Sequence, residues 1–118
     1  MMKPVFLSAL IAMSAAPCAC ASPIAVSGDG VASCAAWTAR HQQYHDPSGI
    51  PQDDWLFGYI TAVNQFAPDS NNGNIQGSSD DDALVAWVST YCAREPLDTV
   101  ARSAGMLVLE LRRRATGK

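Results

Sequence analysis

Apolar residues recur along this chain at helical spacing in four separate stretches. The most regular is 80–97, where Leu84, Trp87, Val88, Tyr91 and Cys92 fall at i, i+3, i+4, i+7 and i+8 and make one continuous helix stripe, stopped by Pro96. Residues 33–45 predict a second helix, with Cys34, Trp37, Thr38, His41 and Tyr44 on one face and Ser33 or Ser27 placed to cap it. Residues 52–67 predict a third. Trp55, Leu56, Tyr59, Ile60, Val63 and Phe66 form its stripe, Asp53 and Asp54 sit in its first turn, and Pro68 ends it. The last helix is expected to start at Pro96 and to bury Leu97, Val100, Ala101, Ala104, Leu107, Val108 and Leu111. Gly58, inside the 52–67 stripe, is read as a site of close helix packing.

Between these helices lie polar breakers. Residues 45–51 hold two prolines and a glycine, and residues 69–79 (DSNNGNIQGSS) have no apolar period and are expected to be mobile. Ser79 with Asp82 resembles a capping box ahead of the 80–97 helix. No strand-like alternation survives beyond a few residues. The expected fold is all-α: a compact bundle of about four helices over residues 33–114, preceded by an extended lead-in (22–32) and followed by a frayed tail (115–118).

The first 21 residues do not fit that domain. Lys3 precedes an apolar run, residues 5–16, that is too short to span a bilayer. Ala19-Cys20-Ala21 then fits a small-x-small cleavage site. Residues 1–21 read as a cleaved signal peptide, and the protein as exported, periplasmic and without stable membrane insertion. Cys18 and Cys20 lack the leucine that a lipidation signal would place three residues ahead. Two cysteines remain in the mature chain, Cys34 and Cys92, both on buried stripes, and in an oxidising compartment they read as a disulfide.

The full chain has formal charge −3. Losing Lys3 leaves seven Lys/Arg against eleven Asp/Glu, hence −4. An acidic domain with one basic cluster, Arg112–Arg114 at a helix end, has no electrostatic footprint for nucleic acid.

Candidate chemistry is sparse. His41 and His45 at i, i+4 could share a metal only with a third ligand such as Asp46, and no H-E-x-x-H accompanies them. Asp80–Asp82 lacks the alternating ligands of a calcium loop and reads as helix N-terminal charge. No G-x-S-x-G setting presents a serine nucleophile. No catalytic residue, metal or cofactor is assigned. Trp37, Trp55 and Trp87, one per helix, read as a core cluster. Phe57, off its stripe, and Asp69, Asn71 and Asn72, in the polar loop, are the candidate partner contacts.

Several motifs together carry a family resemblance. They are Ser33-Cys34-x-x-Trp37, Trp55-Leu56-x-Gly58-Tyr59 with Asn64 beyond, and Trp87-x-x-x-Tyr91-Cys92-x-x-x-Pro96-Leu97-Asp98-Thr99. The chain resembles the exported α-helical immunity proteins of type VI secretion, the Rap/Tai type, over almost its whole mature length. It is also similar in plan to HdeA-type acid-stress chaperones. The resemblance implies a non-enzymatic periplasmic protein that binds and blocks a secreted cell-wall hydrolase, and allows a homodimer. It implies Cys34–Cys92 as the disulfide, and Trp37, Trp55, Gly58, Tyr59, Trp87, Tyr91 and Pro96 as structural core. The alternative it implies is an acid-stress chaperone.

Overall fold

The computed structural model describes residues 23–44 and 50–117. The expected leader, with Cys18 and Cys20, lies outside the described residues, as do His45 and Asp46. Four helices are present: α1 (Cys34–Gln43), α2 (Pro51–Phe66), α3 (Asp81–Arg94) and α4 (Val100–Ala115). Among the described residues no β-strand forms, only an isolated bridge between Ser33 and Thr99. The fold is therefore an all-α bundle, and no described helix is long and apolar enough to cross a membrane.

Local chemistry sets the helix starts. The side chain of Ser33 accepts the Ala36 N–H, that of Asp80 the Ala83 N–H, and that of Thr99 the Arg102 N–H. Asp80 thus replaces the Ser79/Asp82 box expected from sequence. α2 has Pro51 at its start, where a missing N–H costs nothing. α4 begins at Val100, not at Pro96. Residues 96–98 instead form a turn whose carbonyls face α1: Pro96 O accepts the Ala35 N–H (3.0 Å) and Asp98 O the Cys34 N–H (2.7 Å). Two unpaired donors of α1's first turn are thereby satisfied. Val100 N–H returns the favour to Ala32 O at 2.9 Å. Leu97, expected in the α4 stripe, stands 96% exposed at the tip of this turn, and Pro96 is exposed rather than core.

Beneath that joint, Cys34 and Cys92 form the disulfide, both fully buried. Their sequence separation of 58 makes the loop-closure contribution about 4 kcal/mol on the chain-entropy account. α3 packs between α1 and α4, and α2 lies along the far side of α4. The core comprises Trp37, Leu56, Ile60, Leu84, Val88, Val100, Ala104, Leu107, Val108 and Leu111 around the disulfide. Of the three tryptophans only Trp37 is fully enclosed, with its indole N–H donated to Ser89 Oγ at 2.9 Å. Trp55 and Trp87 are half-buried at the core's edge, stacked on Tyr59 and Tyr91 respectively.

Two further sequence expectations change. Gly58 does not admit a neighbouring helix: it is exposed, and a Cβ there would meet nothing within 4 Å. Phe66 ends α2 beyond the reach of the core and is 76% exposed. The tail is shorter than expected, since α4 runs to Ala115 and Thr116 caps it through Arg112 O.

Candidate functional site

The lead-in segment positions the most apolar concavity described. Residues 23–27 hold no regular secondary structure, Ser27 being extended, and the chain then winds into a 3-10 turn, Gly28–Val31, where a wholly extended segment was expected. Gly28 adopts φ +68° at the start of this turn, a left-handed conformation that favours glycine. Gly30 lies flat against the Trp55 indole: a Cβ there would fall 2.2 Å from Cζ2. The same indole donates its N–H to Ser27 O at 2.8 Å. Trp55 therefore fastens the lead-in to α2 by one ring face and one hydrogen bond.

Fastened there, the lead-in walls a groove of about 410 Å³ between itself, α2 and α4. Ile24 and Val26 form one wall, Tyr59 and Gly105 the floor, and Met106 and Leu109 the other wall, with Arg102 at the rim. Ile24 is 88% exposed and Leu109 54%. Neither side chain belongs to the core cluster. Residues 23–26 are exposed and make no backbone–backbone hydrogen bond with the described residues. An exposed apolar segment beside an apolar groove suits the docking of another polypeptide through side chains seated in the groove.

The polar loop at residues 69–79 is built differently from its expectation as a patternless mobile segment. Asn64 in α2 holds it: Oδ1 accepts the Ile75 N–H (2.7 Å) and Nδ2 donates to Gln76 Oε1 (2.8 Å). Ile75 is buried in the core. Asn71, Asn72 and Gly73 follow one another at φ 55°, 58° and 81°, and Asn71 Nδ2 braces the turn through Asn74 O. Asp69 accepts from Arg112 at 2.9 Å. Asp69, Asn71 and Asn72 are exposed as a partner contact requires, and Asn71 borders a second, smaller depression with Leu111 and Arg114. Phe57, half-buried on α2, lines neither depression.

Asp53, read from sequence as helix-end charge, is buried and paired. His41 Nε2 lies 2.8 Å from Asp53 Oδ1, and its Nδ1 lies 2.8 Å from the Trp37 carbonyl. The imidazole stacks on the Trp37 indole at 4.2 Å. The carbonyl only accepts, so Nδ1 carries a proton. Both ring nitrogens are thus engaged, and neither is presented to a substrate or a metal. Burial raises the Asp53 carboxyl above its usual 3.8, the His41 hydrogen bond and charge pull it back, and Asp54 adds a smaller upward push. Among the described residues, no three His, Cys, Asp or Glu side chains gather as a metal set. Asp80–Asp82 line only an open surface at the α3 N-terminus.

Sequence patterning did not single out the groove or the His41–Asp53 pair. The available signals were the Ile24/Val26 alternation and the Gly105/Leu109 spacing beside α4's core stripe. Compared with family models, curated proteins and solved structures, the chain finds no match in any of the three.

Proposed function

We propose that this is an exported, non-enzymatic binding protein of the immunity type, which blocks a cell-wall-degrading effector in the periplasm. The observation that carries the binding reading is the groove between the lead-in, α2 and α4. Its exposed walls, Ile24 and Leu109, contribute nothing to the core, yet Trp55 and Gly30 hold the lead-in in register beside them. Apolar side chains kept at the surface in a defined arrangement characterise protein contact sites. The immunity assignment within that reading rests on the motif resemblance of Cys34, Trp37, Trp55, Tyr59, Trp87, Tyr91 and Cys92. The held loop with Asp69, Asn71 and Asn72 offers a second, polar contact.

The test is affinity capture of cell-wall hydrolases encoded beside this protein, followed by co-expression. A captured hydrolase whose toxicity is relieved by the wild type, but not by Leu109→Asp, supports the reading. Failure to bind any of them removes the immunity function. Sedimentation of the wild type and Leu109→Asp shows whether a second copy takes the face instead.

An acid-stress chaperone is the alternative. Eleven acidic side chains would neutralise at low pH and leave a positive chain. Suppression of client aggregation at pH 2–3, with none at pH 7, would favour it over the inhibitor.

A further inference from the structure

α1 packs mainly on α3, and its contact with α2 is slight. His41 on α1 and Asp53 on α2 meet across that seam with side chains 17% and 7% exposed. The proton count of the pair is fixed by geometry. While Nδ1 donates to Trp37 O, the 2.8 Å contact between Nε2 and Oδ1 needs a second proton between them. With one shared proton the pair is closed, as imidazolium with carboxylate or as neutral imidazole with carboxylic acid. With one proton fewer, the neutral imidazole has a single N–H for two acceptors, Trp37 O and Asp53 Oδ1, and one of the two contacts is lost.

We propose that His41 and Asp53 form a proton-operated latch at the α1–α2 seam, closed while both ring nitrogens of His41 are engaged and loosened when rising pH removes the proton that the pair shares. Among the described residues, few charged groups face the latch. On α2, Asp54 is the other charge acting on the Asp53 carboxyl. On α1, Arg40 is turned over the Tyr44 ring at 5.9 Å. α3 faces the stacked Trp37–His41 rings with the neutral hydroxyl of Ser89. Opening frees the last turn of α1, whose Tyr44 N–H is bonded to Arg40 O, and the first turn of α2, whose Asp53 N–H is bonded to Ile50 O. The latch is independent of the partner reading, because it lies away from the groove residues and needs no ligand.

Amide hydrogen exchange of the purified protein, followed by NMR from pH 5 to 8.5 and corrected for base catalysis, tests it. The Tyr44 and Asp53 amides of the wild type are expected to lose protection at least tenfold between the two ends of that range. Core amides such as Val88 should stay constant. His41→Gln supplies a permanent N–H donor to Asp53. Asp53→Asn can donate to a neutral imidazole or accept from a charged one. Either variant should therefore flatten the pH profile, and one suffices if the other folds poorly. A flat wild-type profile, or a variant that keeps the wild-type slope, overturns the latch.

Discussion

The two sides of α4 are built on opposite terms. Toward α1 and α3, the polar groups at the helix starts find partners and the apolar side chains are enclosed, apart from Leu97 at the turn tip. The disulfide, the Ser33–Thr99 bridge and the 96–98 turn lock three helix ends together. Toward the lead-in and α2, large apolar side chains stand in solvent, and residues 23–26 make no backbone–backbone hydrogen bond with the described residues. One side holds the fold and the other is left with surface to bury. A small domain has a narrow stability margin, so such exposure is expected where contact with another molecule offsets it.

Substitutions on the two sides should separate stability from binding. The largest effects belong to the locked side. Trp37→Ala should remove about 3–5 kcal/mol of stability, read by chemical denaturation, because it empties a fully enclosed indole site and strips Ser89 of its donor. Replacing Cys34 and Cys92 by serine should cost about 4 kcal/mol by the same measurement. On the open side, Leu109→Asp should leave stability within about 0.5 kcal/mol while weakening a captured partner by about 30-fold, near 2 kcal/mol. A loss of stability comparable to that of Trp37→Ala would mean that Leu109 serves the core, and the contrast would collapse.

Smaller effects sharpen it. Gly58→Ala should stabilise by about 0.5–1 kcal/mol, since it lies in a helix interior with open space around its Cα. The smallest effect is a pH signature at the end of α4. Glu110 accepts from Arg113 and Arg114, and these bonds lower its carboxyl to about 2. A depressed carboxyl contributes stability above its unfolded value near 4.5 and loses it as pH falls through 2. The melting temperature of Glu110→Gln should therefore trail the wild type at neutral pH and converge with it near pH 2. Asp53 has the opposite sign. Its raised carboxyl favours the fold at low pH, and that contribution fades as pH rises past its folded value.

The helices were legible because a 3.6-residue period extends over several turns in each, and the stripes around Cys34 and Cys92 put both sulfurs inside. Where a local signal competed with a tertiary one, reading failed. Pro96 suits a helix start, but its carbonyl is taken by α1, and Thr99 caps α4 instead. Ile75 is a lone apolar residue in a polar run, so no period could reveal that it enters the core. His41 and Asp53 lie on different helices, and no spacing rule joins residues 12 apart across a break. The groove was hidden for a related reason: Ile24 and Val26 acquire meaning only once Trp55 fixes where the lead-in lies.

The three successive left-handed residues of the 69–79 loop restrict how this protein could diversify. At Asn71, Asn72 and Gly73 only glycine, asparagine and aspartate fit cheaply, so the loop tip has a vocabulary of about three words. Neither Ile24 nor Leu109 has a left-handed backbone, so any side chain except proline can be substituted there without bending the chain. Successive substitutions could rewrite the groove one residue at a time, while the tip stayed nearly silent.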